Sequence, residues 1–255
     1  MVPRVLVLFL SLGMMACTSV NSTVAIDPSY SAPFRWSGYS WRVKYSDTPT
    51  APRDNRFGRL GVTVFIDSSS GDLVLRIQKI DSLWYASEVV LTRSLGYGEY
   101  QFRIASNIDQ LDHRAVLGLF TWDPTFSDPY HREIDIEFSR WGDKNASTNA
   151  QYVVQPFEVP GNRHSFVFSL SDGTYSTHSI RWDPHAIRFT SWHGHGERPP
   201  DNSPLIMQDW TYQGTYIPQP GNEQIRINLY LLDSSDVPAD AIEVRVSSFT
   251  YIPLP

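Results

Sequence analysis

An all-β sandwich or barrel in a single domain is the fold class this sequence predicts, and three observations carry it. From about Phe34 onward, short apolar-rich runs are broken by turn residues at intervals of roughly eight to twelve positions, the spacing of strands in all-β domains. Neither Leu60–Trp84 nor Ile225–Ile252 contains a convincing run at helical spacing, so little helix is expected. The chain has 255 residues and no internal repeat, long enough to bury one large apolar core without covalent staples.

Taken in order, residues 1–16 read as a signal peptide outside the fold. Arg4 and the amino terminus supply positive charge, Val5–Leu12 form an apolar core too short to span a bilayer, and Gly13-Met14-Met15-Ala16 leads to Cys17. This looks like a bacterial lipoprotein signal, with Met14 standing where leucine is usual. Cys17 is the single cysteine of the chain, so it cannot form a disulfide within it, and lipidation would account for a lone thiol in an exported protein. The implied location is a bacterial membrane surface, anchored through Cys17 and facing the periplasm or exterior. Residues 17–33 then serve as lipidated cysteine and polar tether, and 34–255 as the folded domain. A formal net charge of -6 argues against nucleic acid as a partner, because phosphate binding requires a basic surface. The 13 Phe, 13 Tyr and 8 Trp suit a protein that handles sugar rings, although many must be core.

Within the domain, Val62–Ile66 and Leu73–Ile77 flank a turn-rich Asp67–Asp72 and predict a hairpin. Ser165–Leu170 and Tyr175–Trp182, either side of Ser171-Asp172-Gly173-Thr174, predict a second. Pro124–His131 and His193–Pro204 lack periodicity and read as long loops at one rim of the sandwich.

The stretch Glu133-Ile134-Asp135-Ile136-Glu137-Phe138 alternates carboxylates with apolar residues. Period two is the pattern of a half-buried strand, with Ile134, Ile136 and Phe138 facing a core and the three carboxylates sharing the other face. Two charges about 6 Å apart at an effective dielectric near 20 repel by roughly 2.8 kcal/mol, about two pKa units. Such crowding favours a shared proton and a raised pKa on one group, while another stays ionised. Glycoside hydrolysis needs this pair of states: one carboxyl to attack or activate water and one to protonate the departing oxygen. Along a strand the Cα atoms of Glu133 and Glu137 lie about 13 Å apart, so twist and long side chains must bring the groups together, and spacing alone leaves retaining and inverting geometries open.

The same stretch resembles the catalytic motif of glycoside hydrolase family 16, in the uninterrupted E-x-D-x-E form of lichenases and xyloglucan-active members. Laminarinases, agarases and carrageenases usually carry one extra residue before the second glutamate. The resemblance extends outward: Gly96–Arg103 is similar to a Y-G-x-Y-E-V-R strand, Leu117–Trp122 stands where the strand before the catalytic one belongs, and Ser176–Pro184 resembles an H-T-Y-x-x-x-W-x-P segment. Ile227-Asn228-Leu229-Tyr230 matches a late cleft strand, and Val244–Tyr251 the closing one. The resemblance implies a β-jelly-roll of the concanavalin A-like lectin/glucanase type. In it Glu133 would be the nucleophile, Glu137 the acid/base and Asp135 the residue orienting the nucleophile. Tyr97, Gln151, Asn228 and Tyr230 would line the cleft. The chain departs at Val90, where lichenases have a sugar-contacting arginine, and at His131-Arg132, where Trp-Asp often precedes the first glutamate.

Around the motif, Trp122 and Trp141 suit either stacking platforms or rim packing, and His131 either a sugar contact or an ordinary loop residue. Arg132 is adjacent to Glu133 and should face away from it into a structural ion pair. His193-Gly194-His195 lacks a third ligand at suitable spacing, so no metal site is predicted. No cofactor is expected, and the structural calcium that some relatives carry is not predicted. The expected function is a retaining endo-acting glycoside hydrolase or transglycosylase on a β-linked polysaccharide or oligosaccharide such as β-1,3-1,4-glucan, working as a monomer. The alternative is a non-catalytic carbohydrate-binding jelly roll of the cell envelope, since this fold also serves lectins.

Overall fold

Most strands alternate an inward apolar residue with an outward polar one, and that alternation builds two layers. The computed structural model describes residues 28–254 apart from 172. In chain order the first strands are β1 (Phe34–Trp36), β2 (Tyr39–Val43), β3 (Ser46–Thr50), β4 (Asn55–Phe57), β5 (Val64–Ile66) and β6 (Leu73–Ile80). Then come β7 (Leu83–Leu91), β8 (Gly98–Ala105), β9 (Ala115–Trp122), β10 (Ile134–Phe138), β11 (Ala150–Val154) and β12 (Arg163–Phe166). The last are β13 (Tyr175–Trp182), β14 (Ile187–His193), β15 (Ile206–Tyr212), β16 (Gln224–Leu231) and β17 (Ile242–Pro253). Among the described residues the one helical element is a 3-10 turn at Ile108–Gln110.

One sheet runs β1-β2-β7-β16-β9-β10-β11-β12, antiparallel throughout. The other runs β5-β6-β17-β8-β13-β14-β15, also antiparallel. The β3–β4 hairpin joins the first sheet through a parallel pairing of β4 with β7. This is the jelly-roll sandwich. Its core is one cluster fed by both inner faces, with Trp41, Val89, Leu119, Ile136 and Tyr152 from the first sheet and Leu75, Phe102, Ile180, Phe189 and Phe249 from the second. Each such side chain, fully withdrawn from water, contributes about 1.5–3 kcal/mol. A polar chain crosses this core: Tyr152 Oη lies 2.6 Å from Ser191 Oγ, which is 2.7 Å from His178 Nδ1, whose Nε2 lies 2.9 Å from Ser176 Oγ. Burial depresses His178 to about 3, so the imidazole is neutral and both its nitrogens have partners.

Four expectations meet the structure differently. The hairpin around Asp67–Asp72 forms as β5 and β6, but β5 begins only at Val64 because Gly61 to Thr63 are taken up in a turn. The second expected hairpin does not form. Its first run contributes only to β12, which pairs with β11, whereas β13 pairs with β8 and β14 in the opposite sheet. The intervening segment crosses between layers, which turn composition alone does not distinguish from a hairpin. The 194–205 connection joins β14 to β15 in the sheet away from the carboxylates, where Arg198 contacts Asp209 at 3.1 Å and His195 Nε2 contacts Ile104 O at 2.8 Å. It starts beside Tyr175 at one end of β13, whereas Trp182 at the other end contacts Pro218, next to the Gln219 that accepts from Arg132, so it shares no rim with Pro124–His131. Finally, sheet pairing starts ahead of Phe34, with Tyr30 bridged to Lys44 and Ser31 N donating to Val43 O. The signal segment and Cys17 lie outside the described residues.

Candidate active site

Strand alternation sets the site directly. Ile134, Ile136 and Phe138 are fully buried in the core, so Asp135 and Glu137 project from the opposite face of β10. Register then assembles rows across that face. Lys44, whose N–H donates to Glu88 O, begins a row that continues through Glu88, Asn228, Gly118, Glu137 and Gln151. The next row runs Val90, Arg226, Phe120, Asp135 and Val153. A cavity of about 330 Å³ opens over these rows, bordered by Glu133, Asp135 and Glu137 together with Trp122, Asn228 and Tyr230.

Glu133 stands just outside β10, which begins at Ile134 rather than at Glu133 as alternation suggested. The cause is a left-handed turn. His131 and Arg132 both have positive φ, 48° and 54°, a conformation that non-glycine residues adopt at a cost. Asp123 holds the turn in place. Its fully buried carboxylate accepts from Arg132 Nη1 at 2.6 Å, Thr125 N at 2.8 Å and Asn222 N at 3.0 Å, and its backbone N donates to His131 O. Burial would raise the Asp123 pKa, but the hydrogen bonds from Thr125 and Asn222 and the charge of Arg132 outweigh it and leave it lowered. Thr121 completes the anchor: its hydroxyl donates to Arg132 O at 2.7 Å and accepts from Ile134 N at 3.0 Å. Arg132 is thus a structural ion-pair partner, stacked over Phe126 at 3.4 Å, and turned away from the carboxylates.

Burial is the first cause of a raised pKa at all three carboxylates. Glu133 is pushed up to about 8 by desolvation and then by repulsion from Glu137, with a hydrogen bond from Asp135 and the charge of Arg226 acting the other way. Asp135 is raised well above the ordinary carboxylate range, by burial and then by the charges of Glu133 and Glu137. The hydrogen bond between the two raises Asp135 and lowers Glu133, so Asp135 is the donor that keeps the shared proton and Glu133 the acceptor favoured in its ionised form. Glu137 is also raised by burial, held back by Gln151, whose Nε2 donates to Glu137 Oε2 at 2.7 Å, and by the charge of Arg163. Gln155 Nε2 reaches Asp135 Oδ2 at 3.4 Å.

The other residues singled out from sequence separate into two groups. Trp122, Asn228 and Tyr230 border the cavity, and His131 stacks on Trp122 with ring centroids 4.0 Å apart. Asn228 Oδ1 is buried without a hydrogen-bond partner. Gln151 acts through Glu137. Tyr97 lies elsewhere: its ring packs edge-on against Trp182 and its carbonyl accepts from Tyr251 Oη. Trp141 is half-buried against a small cluster of Phe57, Ala86, Val116 and Tyr230. Sequence reasoning missed Lys44, Glu88 and Arg226, which also border the cavity. Arg226 was within reach, because it alternates with Asn228 and Tyr230 on one face of β16. Among the described residues no group of three or more His, Cys, Asp or Glu is arranged to hold a metal ion.

No family model matches the chain, and neither does any curated protein sequence. Solved structures do. A Bacillus licheniformis β-glucanase superposes with a TM-score of 0.60 at 18% identity, covering 84% of this chain and 92% of its own. A glycoside hydrolase family 16 endo-glucanase from Bacteroides ovatus gives 0.58 at 12% identity, covering 83% and 94%. An immunostimulatory antigen of Mycobacterium tuberculosis, described as a pseudo β-1,3-glucanase, gives 0.56 at 18% identity over 90% and 93%. At these identities the likeness concerns architecture, and it spans nearly the whole domain. The chain has the jelly-roll fold of the glycoside hydrolase family 16 lichenases and endoglucanases.

Proposed function

We propose that the chain is a retaining, endo-acting glycoside hydrolase, or a transglycosylase with the same chemistry, on a β-linked glycan such as β-1,3-1,4-glucan. The observation that carries this reading is the trio Glu133, Asp135 and Glu137 on one wall of a cavity, each with a different set of partners. In the first step the Glu133 carboxylate attacks the anomeric carbon while Glu137 gives its proton to the departing glycosidic oxygen, leaving a glycosyl ester on Glu133. In the second, Glu137 removes a proton from water, or from an acceptor sugar hydroxyl, which displaces the ester and restores both groups. Asp135 keeps its proton and donates its hydrogen bond to Glu133 as charge returns to that carboxylate. The cavity, with Trp122 as an aromatic wall and Asn228 as a free acceptor, supplies the sugar contacts.

A non-catalytic glycan-binding role is the second reading, favoured by the presence of a pseudo-glucanase among proteins with this fold. Assaying new reducing ends on β-glucans, xyloglucan and galactans, and incorporation of labelled acceptor sugars into polymer, separates the two. Turnover lost in Glu133→Gln and Glu137→Gln supports the enzyme. No turnover on any glycan, with binding unchanged in both variants, overturns it. Export and lipid anchoring through Cys17 belong to the same proposal, and Cys17→Ser should release the protein from membranes.

A further inference from the structure

A second charge cluster shares the cleft face with the carboxylates, and apart from the charge of Arg226 acting on Glu133 the hydrolytic chemistry does not use it. Glu88 is 1% exposed and accepts from Arg226 Nη1 at 2.7 Å and from Lys44 Nζ at 3.3 Å, so one carboxylate faces two cations. A third cation lies alongside. Arg42 on β2 is in register with Val90, and Val90 in register with Arg226, which places two arginines on either side of a small apolar residue. With strands about 4.8 Å apart, their Cα atoms are separated by roughly 10 Å.

Neither guanidinium is fully partnered. The Nε atoms of Arg42 and Arg226 are both buried without a hydrogen-bond acceptor, and Arg42 forms no ion pair with any described residue. Lys44 and Arg226 border the cavity and Arg42 lies beyond its lining on the same sheet face, so three cations stand beside the single carboxylate of Glu88. Buried donors left unpaired are costly, and the planar guanidinium fork is matched best by a two-oxygen anion.

We propose that Arg42 and Arg226, flanking Val90, form a subsite for an anionic group on the glycan, a ring carboxylate or a sulfate ester. This rests on the reading of the cavity as a glycan site. Lichenase-like architecture with valine at position 90 would thereby be turned from a neutral glucan toward an acidic one, using arginines from the two neighbouring strands.

The test uses the mature chain carrying Glu137→Gln, so that bound sugars are not turned over. Three oligosaccharides of matched length are titrated calorimetrically: a neutral β-glucan, a β-linked oligo-uronate and a sulfated β-galactan. Tenfold or tighter binding of one anionic probe over the neutral one is expected, weakening with salt, and the preferred probe tells carboxylate from sulfate. Adding Arg42→Met should cost that probe about tenfold and leave neutral binding within twofold; Arg42→Lys, which keeps the charge but not the fork, should fall between. Equal affinity for neutral and anionic probes, or a preference untouched by both Arg42 variants, overturns the subsite alone. No binding of any probe overturns the glycan reading with it.

Discussion

Arg132 Nη1 lies 2.6 Å from Asp123 Oδ2, and this ion pair pins the two left-handed residues that deliver Glu133 to the mouth of β10. The pair acts on a position, so its loss should be felt in both stability and turnover. Asp123→Asn leaves Arg132 without its counter-charge and should cost about 2–4 kcal/mol in urea unfolding, with kcat lowered at least tenfold. Arg132→Gly and Arg132→Ala both remove the pair, but only glycine relieves the positive φ, so the glycine variant should be the more stable by about 1 kcal/mol. Equal stability of the two would mean the turn is not strained.

The raised carboxylates make a prediction about pH. Glu133 titrates near 8 in the fold against an ordinary 4.5, so between those values the folded state binds a proton the unfolded chain has released. Stability contributed by that proton is present below about pH 4.5 and is lost as pH rises toward 8. Glu133→Gln has no such loss. Its melting temperature should match the wild type near pH 4 and exceed it by several degrees at pH 8, as scanning calorimetry would record.

Gln151 should govern the alkaline limb of the rate profile. Its amide donates to Glu137 and favours the ionised form, opposing burial. Gln151→Leu removes that donor, so Glu137 holds its proton to higher pH, and the upper limb of kcat/KM should move up by about one unit. A downward shift would exclude Glu137 as the acid.

Gly118 leaves room for a ligand acceptor. A Cβ built there would come 2.5 Å from Asn228 Oδ1, the unpaired acceptor in the same row. Because that oxygen ends a flexible side chain, Gly118→Ala should fold normally while displacing it. KM should rise about tenfold, the worth of one hydrogen bond, with kcat little changed. An unaltered KM would show that Asn228 does not contact the sugar.

Much of the site was readable in the chain because it depends on period two. Ile134, Ile136 and Phe138 reach the core as alternation requires, and Asn228 and Tyr230 reach the cavity by the same rule. What the sequence hid depends on contacts between distant segments. Lys44, Glu88 and Arg226 meet only because β2, β7 and β16 are neighbours in the sheet, an order that no local pattern encodes. Tyr97 shows the converse: a motif position suggested a cleft residue, but pairing with Trp182 placed its ring on the core. Glu133 fell outside the strand because φ at the two preceding residues is set by Asp123, whose reach across the loop to Arg132 leaves no periodic trace.

The unbroken pairing of Asp135–Phe138 with both β9 and β11 gives this strand something like a reading frame of two. One inserted residue would exchange the roles of Ile136 and Glu137, burying a charge in the core and an isoleucine's place in the cleft, unless a bulge absorbed it. Substitutions, by contrast, leave the frame intact, since each cleft residue can change without disturbing its two core neighbours. Descendants of such a protein can therefore explore new ligands freely by exchange of side chains, whereas changes in the length of this strand are confined to even steps or to a compensating kink.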